Sequence, residues 1–366
     1  MTGRAGKHSA AVGNASSNRD VLRAIGVLVV FFFHLGVAMH PSAIFMVWGI
    51  DLDPFGRAAL LLFFVHTSFV LMQSMERTER AGGNIVRSFF VRRSLRIYPL
   101  SIVCVLGVLL LHIPRSFRSG PFQFPSWGGL IANLLLYQNL TNSASITLPL
   151  WTLPYEVQMY ALLPLVYLTI RLDRSVRGAV AWFAFATVSA PSAYFLLSSN
   201  RAGYVLQFFP AFMAGVVAYK LTSRGPMKRW PSWCWPLFIV GLMGLYGAAI
   251  TVQHVPIWVF SYRGFFTAGI ASLILGGMLP RFNHATNPVF VFITRWIAQH
   301  SYGIYLTHMS VMWISFVTLA RLAMPIRWLI FVFLSVTVPI ACFQLIENPL
   351  MQLGRKLSRP VQVSSR

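Results

Sequence analysis

The sequence predicts an all-α, polytopic membrane helix bundle of about ten transmembrane helices plus one short re-entrant or interfacial segment. Three observations predict it. The 366 residues are 56% hydrophobic and only 10% charged, with a mean hydropathy of +0.65, a balance typical of chains whose solvent is lipid. Apolar runs long enough to cross a bilayer recur along the whole length. The 30 Lys and Arg residues concentrate in alternate loops, as the positive-inside rule requires of a multi-span chain.

Taken in order, residues 1–19 are polar, contain Ser and Asn, and are too short for a core; they read as a disordered cytoplasmic tail. The first apolar run, 21–39, follows Arg4, Lys7 and Arg19 as a signal peptide would. No clear small-residue cleavage site ends it and many similar runs follow, so it reads as a retained anchor. Further spans fall near 57–75, 98–112, 151–171, 178–197, 205–220, 236–252, 262–279, 297–319 and 328–346. Gly128–Tyr137 is apolar but shorter, and by length alone it can span, dip into the membrane or lie on its surface. Charge decides. If it does not span and the N-terminus is cytoplasmic, only Arg57, Arg115, Arg118, Arg201, Arg263, Arg321 and Arg327 lie outside, which leaves the remaining 23 of the 30 basic residues inside. If it spans, the division becomes 14 inside against 16 outside and the bias is lost. Both chain ends are therefore expected in the cytoplasm, with one transmembrane domain over 20–357 and a short tail, 358–366. The net charge of +22 then reflects loops facing anionic headgroups. Membrane lipids are the expected partners and nucleic acid is not. Cys104, Cys234 and Cys342 are scattered, without CxxC or a His at ligand spacing, so neither a disulfide framework nor a metal site is expected.

Ionisable groups inside apolar segments are costly and mark functional sites by default. Arg23 and His34 lie eleven residues apart in the first span. That spacing is about 20° past three full helical turns and roughly 16 Å of rise, so the two share one face, Arg23 near a membrane surface and His34 deeper. Arg92, Arg93 and Arg96 precede the third span, with Arg77, Arg80 and Arg87 upstream in the same expected loop. Arg93 and Arg96 project to one side and suit a phosphate, although such a run also serves as an interfacial anchor. Glu156, beside Trp151 and Tyr155 near the expected external end of the fourth span, suits a sugar, whose apolar face stacks on rings while its hydroxyls donate to a carboxylate. Pairing with an Arg of another helix is the equal alternative. Ser301, Tyr305 and His308 follow i, i+4, i+7 spacing, a polar stripe that should face the bundle interior. His66 reads as a neutral core histidine and Glu347 as the partner of a loop Arg. His112, His254, His284 and His300 attract no role.

These segments together resemble the acyltransferase 3 family of integral membrane acyltransferases. Asp20, Arg23 and His34 fall in its Asp-x-x-Arg and histidine arrangement, and Arg92 to Pro99 is similar to its Arg-rich turn. Trp151 to Tyr160 matches its Trp-x-Leu-x-x-Glu-x-Gln-x-Tyr stretch, Ser301 to His308 its SYxIYLxH segment, and Glu347-Asn348-Pro349 its Glu-x-Pro. The resemblance runs in order over about residues 20 to 357. It departs at Leu61 to Phe69, where Leu61 stands at the family's Asp, Thr67-Ser68 at its Ser-Gly, and His66 just before them.

The resemblance implies transfer of a short acyl group, most often acetyl, from cytoplasmic acyl-CoA to a sugar hydroxyl of a surface polysaccharide, glycolipid or lipo-oligosaccharide, in a bacterial inner membrane. Acyl-CoA is a co-substrate, and no bound cofactor is expected. His34 is the expected general base or acyl relay, with Arg23 guiding the donor arm and Arg92, Arg93 and Arg96 at its phosphates. Glu156, Trp151, His308 and Tyr305 are expected at the acceptor or in proton handling. A proton-coupled transporter would use the same groups but predicts repeated halves; the Arg-rich turn has no counterpart in the second half.

Overall fold

The computed structural model describes residues 17–358 apart from 41–45, 48–49, 52, 174, 197–203, 224–228 and 253–261. The tails before 17 and after 358, and His254, lie outside the described residues. The chain runs through α1 (Ser17–Met39), α2 (Asp53–Arg80), α3 (Ile85–Leu110) and a short α4 (Trp127–Leu134). A 3-10 turn, Leu148–Thr152, leads into α5 (Leu153–Ile170), followed by α6 (Arg177–Leu196), α7 (Tyr204–Thr222), α8 (Cys234–Val252) and α9 (Tyr262–Met278). The last part comprises α10 (Pro288–Trp313), α11 (Met324–Cys342) and α12 (Asn348–Leu357). π-turns at Ile314–Thr318 and Phe343–Glu347 follow α10 and α11. Each of the ten expected spans is a helix, and the architecture is an all-α membrane bundle. Five stretches, α1, α2, α3, α7 and the run from α11 through α12, have both the length and the apolarity for a crossing.

The segment left ambiguous by its length is α4. Its eight residues make about 12 Å of helix against a hydrocarbon core of about 30 Å, so it cannot span as a helix. Ser126 caps it by accepting from Gly129 N at 3.1 Å. Asn133 then ties it to the chain that follows, donating to Ala144 O at 3.0 Å and accepting from Ile146 N at 2.9 Å. Asn139 and Gln158 exchange two amide hydrogen bonds, 3.2 and 2.8 Å, which clamps this lid onto α5.

With α4 non-spanning, the helix ends expected on one side should meet, and they do. The Asn18 side chain donates to Phe282 O after α9, and Trp235 of α8 donates to Asn18 O, both at 3.0 Å. Lys220 at the end of α7 donates to Asp173 O between α5 and α6 at 2.6 Å. Ser88 of α3 donates to Ser358 O at 3.3 Å. Both described chain ends thus lie on the arginine-rich side.

Two local features differ from the sequence expectation. The arginine run is not a loop: Arg77 and Arg80 close α2, and Arg87 to Arg96 lie inside α3. Asn84 caps α3 by accepting from Arg87 N at 2.9 Å, and Arg is a good helix former whose stem packs along apolar surface. The helix therefore starts before its apolarity does. The second concerns Ser68, at the family's Gly. It is fully buried, with its hydroxyl donating back to Phe64 O and Val65 O. Room comes from Gly215 on α7, where a Cβ would overlap the Ser68 hydroxyl and the Val65 carbonyl. The small residue at this contact stands on the facing helix.

Candidate active site

Two adjoining cavities lie on the arginine-rich side. The outer basin, about 620 Å³, is lined by Arg19, Asp20, Arg23, Arg92, Arg93, Arg96, Arg295, Asn348, Met351 and Arg355 among others. Its size falls in the range of small-molecule sites. The inner cavity, about 90 Å³, is walled by α1, α2, α3, α5 and α10. Arg23, His66, Val70, Arg93 and Arg96 line both and form the throat between them.

The inner cavity is polar and organised. Tyr160 donates to Glu156 Oε2 at 3.1 Å and Thr67 to Oε1 at 3.4 Å, while Arg23 and Arg93 are the charged neighbours of that carboxylate. Thr152 and the Tyr305 hydroxyl share a 2.7 Å hydrogen bond, and Tyr302 donates to Ile97 O at 2.8 Å. Behind the throat, the wholly buried Glu347 side chain faces Arg96 at 3.8 Å. That distance is an ion pair but too long for a hydrogen bond, and the Gly303 backbone N–H also faces the carboxylate. The π-turn that ends at Glu347 adds one residue to the turn, a feature common at functional sites.

Next to Tyr305, which lines the inner cavity and whose ring lies 6.2 Å from that of His308, is a histidine pair. His308 Nε2 and His34 Nδ1 are 3.0 Å apart, joined because α1 and α10 pack more extensively on each other than any other pair of described elements. His308 Nδ1 lies 2.7 Å from Tyr305 O and 3.1 Å from Ile304 O. Carbonyls only accept, so His308 Nδ1 carries the proton. In the neutral pair His308 Nε2 is then an acceptor, and His34 Nδ1 must donate to it. His34 Nε2 is left with a free lone pair, the form a base requires. His34 keeps part of its surface accessible although it lines neither cavity.

Of the residues singled out in the sequence, Arg23, Arg92, Arg93 and Arg96 converge on the basin, and Glu156 and Tyr305 line the inner cavity. Glu156 lies among arginines, in the first turn of α5 beneath the lid. Trp151 lines neither cavity; its ring packs at 6.1 Å from Tyr155 and 6.2 Å from Phe208. His66 is buried and lines both cavities, a position its sequence context did not reveal. Arg19, Arg295 and Arg355 also line the basin. Arg19 was legible as one helical turn before Arg23, whereas Arg295 and Arg355 carried no local signal beyond charge.

A family model described as an acyltransferase domain, of the acyltransferase 3 type, matches residues 18–344. No curated protein and no solved structure matches the chain.

Proposed function

The chain belongs to the acyltransferase 3 family, and on that premise we propose that it moves a short acyl group, acetyl most often, from a cytoplasmic acyl-CoA to a sugar hydroxyl. The acceptor is a surface polysaccharide, glycolipid or lipo-oligosaccharide, and the membrane is a bacterial inner membrane with the arginine-rich side inward. Family membership favours this reading over a proton-coupled carrier.

The observation that carries it is the order of the site: an arginine-lined basin, a throat, a polar cavity, then a hydrogen-bonded histidine pair. Phosphates suit forked guanidinium groups, and the uncharged arm of the donor suits the throat. In the reaction, the acceptor oxygen attacks the thioester carbonyl while His34 Nε2 takes its proton. The C–O bond forms, the C–S bond breaks, and His34 returns the proton to the departing thiolate. His308 is a positioning residue: it holds His34 in the Nδ1–H tautomer and stabilises the imidazolium as it forms, the logic by which a buried carboxylate serves hydrolase triads. The accessible surface of His34 that the two cavities do not use is the acceptor's approach. Glu156 balances Arg23 and Arg93 beside the donor arm.

The test is purified His34→Ala with labelled acetyl-CoA and membrane extract. Normal insertion with no transfer of label is expected, and transfer at the wild-type rate removes the mechanism. Label trapped on wild-type protein by acid quench without acceptor favours the relay route, in which His34 is transiently acylated.

A further inference from the structure

Among the described residues no three His, Cys, Asp or Glu side chains come together as metal ligands, but two histidines do. His34 Nδ1 and His308 Nε2 face each other at 3.0 Å, with ring centroids 5.0 Å apart and planes inclined at 40°. Two imidazoles that share one tetrahedral ion, at metal–nitrogen distances of about 2.0–2.1 Å, have nitrogens about 3.3 Å apart and centroids about 5.2 Å apart. The pair stands within about 0.3 Å of that arrangement on both measures.

The outer partners match too. A ligating histidine presents one ring nitrogen to the metal and donates the other N–H to a backbone carbonyl or a carboxylate, which fixes its tautomer. His308 already does so: its Nδ1–H is held by Tyr305 O at 2.7 Å and Ile304 O at 3.1 Å, and the Nε2 lone pair points at His34. His308 is buried between helices that pack extensively, so this ligand is oriented before any ion arrives. His34 keeps accessible surface. That surface opens inside the bundle rather than to lipid, because Val27, Val30, Val37 and Ala38, which share its face of α1, are all buried, while Phe32 on the opposite face is exposed. Water that completes a coordination shell can reach the pair from there.

An ion here also has a chemical consequence. In the resting pair His34 carries its proton on Nδ1 and keeps the Nε2 lone pair for catalysis. An ion takes the Nδ1 lone pair of the other tautomer, in which the proton sits on Nε2. The imidazole stays neutral and no proton is lost, but the base no longer has the lone pair with which it works. The hydrogen bond from His34 to the Val30 carbonyl is given up, which makes the site reversible rather than structural.

We propose that a divalent transition-metal ion, Zn²⁺ above all, binds between His34 Nδ1 and His308 Nε2 and switches the protein off by locking His34 in the Nε2–H tautomer. Imidazole suits Zn²⁺, Cu²⁺ and Ni²⁺, whereas Mg²⁺ and Ca²⁺ take oxygen ligands. The place of the ion follows from the geometry; that its occupation inhibits rests on the acyl-transfer reading, with His34 as base.

Calorimetry with Zn²⁺ on the full-length protein in nanodiscs tests it, comparing wild type with His34→Ala, His308→Leu and His308→Gln. Melting temperatures without metal identify the variants that fold, and His308→Gln stands in where Leu disturbs the packing. The chain's other histidines bind background ions whether or not the pair is intact, so the difference carries the test. Wild type is expected to bind one ion more than the variants at either histidine. Loss of a ligand should weaken this site by about 100-fold or more, beyond the 10- to 100-fold cost of losing an outer partner, and Mg²⁺ should not compete for it. In wild type, transfer of label from acetyl-CoA should fall in step with occupancy of the site and return on addition of EDTA. Equal Zn²⁺ stoichiometry in wild type and variants, loss of the site on substitution of only one histidine, or full transfer with the site occupied overturns the proposal. A site lost on substitution of either histidine, in a protein that transfers no acyl group with or without metal, refutes the acyl-transfer reading and leaves the ion's place standing.

Discussion

Replacing His308 by Leu removes the acceptor that holds His34 and leaves both cavities lined as before, since His308 lines neither. The hydrogen bond at stake, 3.0 Å long, joins neutral partners at rest and becomes charge-assisted once His34 takes a proton. Neutral hydrogen bonds contribute about 0.5–1.5 kcal/mol and those to charged groups about 1.5–3 kcal/mol, so the transition state loses about 1–1.5 kcal/mol more than the resting site. That is about tenfold in kcat. Loss of the tautomer preference adds to this, though the Val30 carbonyl, also a partner of His34, retains part of it. His308→Leu should therefore lower kcat by about 10- to 100-fold, less than the 10²–10⁴-fold expected from removing the base in His34→Ala. His308→Gln presents an amide oxygen to the same N–H and should recover most of the loss. The assay is transfer of labelled acetyl from acetyl-CoA by purified protein, with KM for the donor measured alongside and expected to hold. A wild-type kcat in His308→Leu, or an equal loss in His308→Leu and His308→Gln, refutes the positioning role.

Raising salt from about 0.1 M to about 1 M shortens the screening length from about 10 to about 3 Å, so the donor KM should climb with salt while kcat holds; a salt-independent KM argues against phosphates in the arginine basin. Gly215→Ala should cost about 3 kcal/mol or more by overpacking α7 against α2 at Ser68 and Val65, read as a lower melting temperature in detergent. The double variant Ser68→Gly/Gly215→Ala should regain only part of it, because the Val65 carbonyl remains in place. Glu156→Gln leaves Arg23 and Arg93 without their shared carboxylate and should destabilise the protein by about 3–5 kcal/mol; an unchanged melting temperature would deny Glu156 that role.

The helices were legible because lipid demands long apolar runs, and the shared face of Arg23 and His34 was legible because both sit on one helix with a fixed period. What remained hidden depends on contacts between helices. His34 and His308 each stood out as an intramembrane histidine, yet 274 residues separate them and only the α1–α10 packing brings them together. Arg355 looked like any basic residue near a chain end until α12 folded onto α3. The start of α3 was missed because a capping Asn84 and helix-favouring arginines set it, and neither contributes to hydropathy. Trp151 belongs to a recognisable motif, but its nearest rings, Tyr155 and Phe208, hold it away from the cavity. Gln158 of the same motif clamps the lid through Asn139, a role that no spacing rule predicts.

The two buried carboxylates beside the throat, Glu156 and Glu347, address a problem that arginines alone would create. A throat lined by Arg23, Arg93 and Arg96 without counter-charge would draw a donor's phosphates inward, where they would occupy the space meant for the thioester. Glu347, wholly buried at 3.8 Å from Arg96 and also a charged neighbour of Arg23, lowers the potential in the throat and leaves the basin's other arginines, Arg19, Arg92, Arg295 and Arg355, as the stronger attractor. Glu347→Gln should then bind CoA more tightly and transfer more slowly, because a phosphate that moves in by one turn, about 5.4 Å, carries the thioester out of register with His34. Calorimetry with CoA and single-turnover transfer on the same preparation read the two effects separately. A variant in which CoA affinity and transfer both fall would mean that Glu347 only fastens α3 to the end of α11. Tighter binding with slower chemistry requires that it also keeps the phosphates out.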